Sequence, residues 1–236
     1  TSVPPKALTF ANNNNAHDYG GESSSRLCLT DYVNKTKRGD ITPFPAVSTF
    51  NNVGNKQYEL AGNTTIGGIK IEEGSQIALF VDGNLYINND ITFDGLASSW
   101  DKHQYLAVVV KGNIYIGRSV RQLDGLYIAQ GGDIYTCAKG LGDPYGGNEL
   151  HSNCNSQLRV NGGLIADRVK FLRTNGSLRD SVPREDYNSL TPAEIINYTP
   201  GMWLAPSPLT LPSDEDPVNP SLVPKYDSLR SLPPVY

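Results

Sequence analysis

Between Tyr58 and about Arg173 the apolar residues fall in short runs broken by Gly, Asn and Asp: YELAGNTTIGGIKIEEG, QIALFVDGNLYINNDITF, QYLAVVVKGNIYIGRSV, LDGLYIAQGGDIYT and QLRVNGGLIADRVKFLRT. The runs are rich in β-branched and aromatic residues and stop at turn formers, so they predict strands. Apolar residues do not recur at 3.6-residue spacing in this region, and helices are not expected there.

Three runs share one skeleton: VDGNLYI from Val81, VKGNIYI from Val110 and VNGGLIA from Val160. In each, a Gly-centred pair interrupts an apolar stretch, where a strand must bend, bulge or let another backbone approach. Units whose inward positions match can stack so that like side chains lie above like. The interval is 29 residues from Gly83 to Gly112 and 50 from Gly112 to Gly162, with a further copy, LDGLYIA at Leu123–Ala129, inside the longer gap. Constant rungs joined by variable loops predict an all-β, right-handed parallel β-helix (solenoid) over residues 58–200. The alternative is a β-sandwich or jelly roll, which would bring hairpins and a cleaner polar alternation.

The flanks read differently. Residues 1–57 are irregular, with NNNN at Asn12–Asn15 and GGESSS at Gly20–Ser25, yet carry anchors at Leu8, Phe10, Leu27, Leu29, Phe44 and Val47, which predicts an irregular N-terminal cap packed on the solenoid. In TPAEIINYTP, Thr191 and Pro192 form a helix-start signal with Glu194 in the first turn, so one short helix is expected. From Gly201 to Tyr236 the chain holds eight of its 16 prolines and reads as an extended, polyproline-like arm. Trp203, Leu209, Leu222, Tyr226, Leu229 and Tyr236 are spaced along it as anchors for docking on its own solenoid or on a neighbour's.

Composition narrows the function classes. A net charge of −4 and a pI near 5.4 give no basic footprint for a phosphate backbone, so nucleic acid is not an expected partner. No window approaches the ~18 apolar residues of a spanning helix, and no transmembrane segment is expected. The first residues, TSVPPKALTF, lack Met and a charged-then-apolar leader, which suits a processed, exported chain.

Three cysteines are too few and too unevenly spaced for a zinc site. Cys137 and Cys154 flank an excursion rich in Gly, Asp, Pro and Asn that has little core of its own. A disulfide closing it would contribute about 3 kcal/mol; two reduced, buried thiols are the alternative. Cys28 is left over, buried or paired between chains. A bridge would place the protein in an oxidising compartment.

Little here resembles an active site. GGIKIEEG and VDGN lack phosphate-cradling spacing, so no cofactor is expected. Glu72, Glu73, Asp82, Asp124, Asp133 and Asp143 are candidates for paired-acid chemistry on a polysaccharide, but they form no DD or DxD cluster and read as solvated turn residues. DEDPVN at Asp214–Asn219 lacks the spacing of a calcium loop, and no GxSxG elbow supports a hydrolytic triad. LPPVY at Leu232–Tyr236 matches a form read by aromatic-lined grooves, a reader an exported chain would not meet. Asn34, Asn63, Asn175 and Asn197 open glycosylation sequons. Tyrosines on strands could stack on sugars, or simply be sheet residues with one wet edge.

The order of VKGNIYIGRSVRQLDGLYIAQGGDIYTC, LRVNGGLIADRVKFLRT and PAEIINYTPGMWLAPSP, over roughly Val110–Pro208, resembles the carboxyl-terminal region of large exported surface proteins of candidate-phylum (Patescibacteria-type) bacteria. The resemblance implies a β-helical cell-surface module with a Cys137–Cys154 pair, and its motifs are diagnostic of no particular activity. The expected function is therefore an extracellular structural, self-assembling surface or filament subunit without catalysis, a homo-oligomer or polymer joined through its arm or solenoid ends. The alternative is a carbohydrate-binding or polysaccharide-cleaving β-helix with a surface glycan as ligand.

Overall fold

The computed structural model describes residues 41–95, 97–99, 102–174 and 192–199. The chain enters through β1 (Thr42–Pro43) and β2 (Thr49–Phe50). A first pass follows as β3 (Gly54–Ala61), β4 (Thr64–Ile66) and β5 (Ile69–Ile71), and a second as β6 (Ser75–Asp82), β7 (Leu85–Ile87) and β8 (Ile91–Phe93). The third runs through β9 (Tyr105–Val110) and β10 (Ile114–Gly117) into β11 (Gln122–Ala129). Beyond it lie β12 (Asp133–Gly140), an excursion with β13 (Asp143–Pro144) and α1 (Glu149–Asn153), then β14 (Leu158–Ile165), β15 (Arg168–Lys170) and β16 (Glu194–Asn197).

These strands form two curled sheets. The ten-stranded sheet runs β1-β3-β6-β9-β11-β8-β5-β2, with β14 beside β11 and β16 beside β14; the six-stranded sheet runs β13-β12-β10-β7-β4, with β15 beside β12. The fold is all-β, and among the described pairs only β12–β13 is antiparallel, so the hairpins of a sandwich are not the organising element. Each strand lies on its counterpart in the neighbouring pass: Tyr58 on Leu79, Leu79 on Val108, Val108 on Tyr127.

Inside, the matching positions form one core of Ile, Leu and Val that includes Ile77, Leu79, Val108, Leu85, Ile114, Ile134, Leu123 and Leu158. Full burial of each such side chain contributes roughly 1.5–3 kcal/mol. The six-stranded sheet alternates, with Leu85 and Ile87 buried and Tyr86 between them half-exposed. In the ten-stranded sheet β6 and β9 do not alternate, because Ala78, Phe80, Ala107 and Val109 on the outer face are buried too. Strands covered on both faces read as continuous apolar runs, which is why QIALFV and YLAVVV show no polar period.

Three expectations are corrected. Among the described residues 192–199 of TPAEIINYTP there is no helix: Glu194–Asn197 is a strand paired parallel with Leu158–Asn161. The β-branched Ile195 and Ile196 suit that pairing, and a sheet edge in register overrides a start signal with few residues behind it. Second, the boundary at residue 58 falls inside β3, and β1 and β2 already pair with β3 and β5; the polar GNKQ half of β3 disguised its start. Third, Gly162 does not stand over Gly83 and Gly112. It pairs with Gly125, and VNGGLI matches LDGLYI residue for residue from Val160 on Leu123 to Ile165 on Ile128. The shared skeleton therefore marks two different bends. Gly125 has φ +121, in the region that favours glycine, and a Cβ there would lie 2.8 Å from the Leu106 carbonyl oxygen. At this bend β11 turns from pairing with β8 to pairing with β9. The anchors of the arm and Cys28 lie outside the described residues.

Candidate functional site: the glycine–asparagine corner and its flanking ladders

The feature with the most organised chemistry is the corner joining the two sheets. The dipeptides Gly62-Asn63, Gly83-Asn84, Gly112-Asn113 and Gly132-Asp133 occupy it in successive passes. Asn63 Oδ1 accepts from the backbone N–H of Asn84 at 2.8 Å, Asn84 Oδ1 from that of Asn113 at 2.8 Å, and Asn113 Oδ1 from that of Asp133 at 2.7 Å. Each amide oxygen thus satisfies a backbone donor that the bend would leave unpaired. Asparagine fits because its short amide reaches the adjacent pass while tolerating turn backbone.

The glycines let the passes come that close. A Cβ on Gly83 would lie 2.3 Å from the carbonyl carbon of Gly62, and one on Gly112 or Gly132 would lie 2.3 Å from the Oδ1 of Asn84 or Asn113. Two members of this column, Gly62 and Gly132, were absent from the sequence skeleton because their flanks, AGNTTI and GGDIYT, lack the leading Val. The Gly-(Asn/Asp) dipeptide alone was the signal that would have found them.

The column ends on an acid. Asp133 Oδ1 accepts from Arg168 Nε at 2.9 Å and its Oδ2 lies 2.9 Å from Lys170 Nζ. The Lys170 ammonium, with help from Arg168, holds the Asp133 carboxyl below the usual carboxylate range. Where the next pass offers cations, Asp replaces Asn as the last member.

Alongside runs a tyrosine column, Tyr86, Tyr115 and Tyr135 in register. The Tyr115 and Tyr135 rings stack at 5.0 Å between centroids and 7° between planes, and Lys170 Nζ sits 4.4 Å from the Tyr135 centroid. Burial pushes the Tyr115 hydroxyl up, with Tyr135 adding to the shift. Rings whose faces cover one another in this way are not presented to a sugar.

A second polar ladder lies on the ten-stranded sheet. Asn197 Nδ2 donates to Asn161 Oδ1 at 2.9 Å, and Asn161 Nδ2 to Asp124 Oδ1 at 2.7 Å. Asp124 also accepts from the Phe93 N–H at 2.7 Å and from Gln122 Nε2. Asp124 and Asp133 are both buried, which corrects the expectation of solvated turn acids: each meets donors from neighbouring strands, as a buried carboxylate requires. Of the other acids, Asp82 pairs with Lys111 at 2.8 Å on the surface, Glu73 accepts from the Ser98 N–H, Glu72 is half-buried and Asp143 is exposed in β13. The sequon residues Asn63 and Asn197 are the terminal rungs of the two ladders; Asn34 and Asn175 lie outside the described residues.

Near the far end of the stack, Arg173 is buried and donates through Nε to the Thr136 carbonyl at 2.7 Å, through one terminal nitrogen to the Gly117 carbonyl at 2.7 Å, and through the other to the Arg118 carbonyl and Ser156 Oγ. Burial lowers its pKa to about 10. Its fork of donors fastens three separate segments, at Gly117–Arg118, Thr136 and Ser156.

Cys137 and Cys154 are joined, with sulfurs 2.13 Å apart and Cα atoms 6.0 Å apart. They pack with Tyr145, Leu150 and Leu172 in a small cluster of their own. Among the described residues no group of His, Cys, Asp and Glu is placed to hold a metal, and no helix is long and apolar enough to cross a membrane. No family model, curated protein or solved structure matches this chain.

Proposed function

We propose that this chain is an extracellular structural subunit, a right-handed parallel β-helix that assembles end to end or through its C-terminal arm and carries out no catalysis. The observation that carries the reading is the use made of the polar side chains: Asn63, Asn84, Asn113, Asp124, Asn161 and Arg173 bond neighbouring passes rather than converging on an open cleft. Right-handed winding follows from the strong preference for right-handed crossovers between parallel strands. The Cys137–Cys154 bridge supports an oxidising, exported setting, in keeping with the surface modules that Val110–Pro208 resembles.

β15 and β16 are the last described strands of their sheets. At or just beyond them Phe171, Ile196 and Tyr198 are 55%, 44% and 67% exposed. An apolar rim beside edge strands favours a further copy, and end-to-end contact between unlike surfaces yields open fibres rather than closed rings. Size-exclusion chromatography and electron microscopy of the intact chain, beside one truncated after Pro206, test the reading. Oligomers or fibres are expected of the intact chain, with smaller species on truncation if the arm is the link. Monomers in both cases would overturn it.

A further inference from the structure

The strand β16 docks beside the disulfide, and its entry is held from two sides. On one side Glu194 Oε1 accepts from the Arg173 N–H at 2.9 Å and from the hydroxyl of Thr136, the residue before Cys137. On the other side the Ala193 carbonyl accepts from the Leu158 N–H at 2.9 Å, and the Pro192 carbonyl from Gln157 Nε2 at 2.7 Å. Gln157 and Leu158 follow Cys154 by three and four residues.

The two sides differ in what fixes them. Thr136 lies in β12 and its hydroxyl accepts from the Leu172 N–H at 2.7 Å, while the Arg173 guanidinium is tied to the Gly117, Arg118 and Thr136 carbonyls. This side is built into the six-stranded sheet. Gln157 and Leu158 instead come directly after the excursion of β13 and α1, whose core is the small cluster of Cys137, Tyr145, Leu150, Cys154 and Leu172. That excursion contains Gly140, Gly142, Gly146 and Gly147, so its backbone gives up much freedom on folding. Three hydrogen bonds join the sides: the Thr174 N–H donates to the Cys154 carbonyl at 2.7 Å, the Thr174 hydroxyl to the Leu150 carbonyl at 3.3 Å, and Arg173 to Ser156 Oγ at 2.7 Å. The Cys137–Cys154 bridge joins them covalently.

We propose that this bridge is a redox-dependent clasp for β16: it keeps the two halves of the docking site at one spacing, and β16 is fully seated only while it is closed. A segment gripped at two points binds far better when their spacing is fixed, because the second grip is then made at high effective concentration. Opening the clasp takes a dithiol. Its thiolate attacks one bridge sulfur, the S–S bond breaks, two electrons and two protons pass to the cysteines, and the dithiol leaves as its own disulfide. One consequence rests on the exported, assembling subunit proposed above: in a reducing compartment β16 stays loose, with Ile196 on it and Tyr198 just beyond it, so the end surface offered to a further copy is completed only on export.

Native-state amide exchange by NMR on the full-length chain tests the clasp without requiring assembly, so its outcome is independent of the chromatography above. The wild type is compared with Cys137→Ser/Cys154→Ser, with Glu194→Ala and with the combination of all three substitutions. Wild type reduced with dithiothreitol checks that the serines themselves add nothing. Opening the bridge is expected to speed exchange of the Leu158, Arg173 and Thr174 amides about tenfold or more, with Leu79 and Val108 in the middle of the stack unchanged. Glu194→Ala with the bridge closed should speed Leu158 and leave Thr174 slow. Adding the serines should then change Leu158 much less than in the wild type, because β16 already rests on one side. An unchanged Leu158 rate after the bridge opens, an equal rise at Leu79 and Val108, or effects of Glu194→Ala and the serines that simply multiply would each overturn the proposal.

Discussion

Gly112→Ala and Asn84→Ala form a double-mutant cycle that measures how the corner is built. In Gly112→Ala the new methyl would sit 2.3 Å from Asn84 Oδ1 and 3.0 Å from the Gly83 carbonyl oxygen. Asn84 must swing aside, and with it goes the bond to the Asn113 N–H. Overpacking costs about 1–3 kcal/mol, and the lost bond at a half-buried site about 1 more, so the single variant loses about 2–4 kcal/mol. Asn84→Ala alone orphans the Asn113 N–H, at about 1–2 kcal/mol.

The double variant should cost less than the two together. With Asn84 already truncated, the 2.3 Å contact no longer exists and the bond is lost only once, which leaves the milder approach to the Gly83 carbonyl. A coupling of about 1–2 kcal/mol is expected, within the range seen for residues in contact, and urea denaturation of the four proteins reads it directly. Gly140→Ala is the control: nothing lies within 4 Å of its Cβ position, and its effect should stay within about 1 kcal/mol. Strict additivity, or equal effects at Gly112 and Gly140, would refute the claim that the glycines exist to admit the asparagine ladder.

Three further outcomes are expected. Reducing the Cys137–Cys154 bridge, or replacing both residues with Ser, should cost about 3 kcal/mol by thermal denaturation while far-UV circular dichroism at room temperature keeps its β signature, because these cysteines pack in a cluster outside the main core. Arg173→Met should cost about 2 kcal/mol by urea denaturation, since it removes the charged donor from the Thr136 carbonyl while the Gly117 and Arg118 carbonyls keep the Val120 N–H and the Ser156 hydroxyl, and Arg173→Lys should recover part of it. Asp133 has a folded pKa below its unfolded value, so its contribution is present above about pH 4 and fades as pH falls through the depressed folded pKa; Asp133→Asn should flatten that part of the acid limb in a plot of stability against pH.

The strands between Tyr58 and Arg173, and the inward apolar residues, were legible because β-branched runs closed by Gly and Asn leave few other readings. The bridge was legible from the poor core of the loop it closes. Less visible was the division of one glycine pattern between two bends: Val81–Ile87 and Val110–Ile116 turn a corner between sheets, whereas Leu123–Ala129 and Val160–Ala166 begin their bend within one sheet. Local sequence gives both as Val or Leu, a variable residue, then Gly. What separates them is the pairing partner, which local sequence does not encode. The strand at Glu194–Asn197 was missed for the same reason, since its identity comes from the Leu158–Asn161 edge it meets.

The two ladders show why such a chain can vary the length of its passes without losing register. Asn63 and Asn84 are separated by 21 residues, Asn84 and Asn113 by 29, and Asn113 and Asp133 by 20, yet the bond between successive members is 2.7–2.8 Å in all three cases. A one-residue slip between passes would turn inward side chains outward. It would also bring a Cβ-bearing residue into a slot that admits only glycine and leave the amide oxygen without its donor. The apolar column penalises slips strongly but without direction; the glycine and the asparagine identify one alignment. Extra residues, such as the loop between β8 and β9, are therefore confined to positions between the ladders. In this fold the corner sets the register and the core supplies the stability, so corner substitutions should broaden the native ensemble in ways that equally destabilising core substitutions such as Ile116→Val do not.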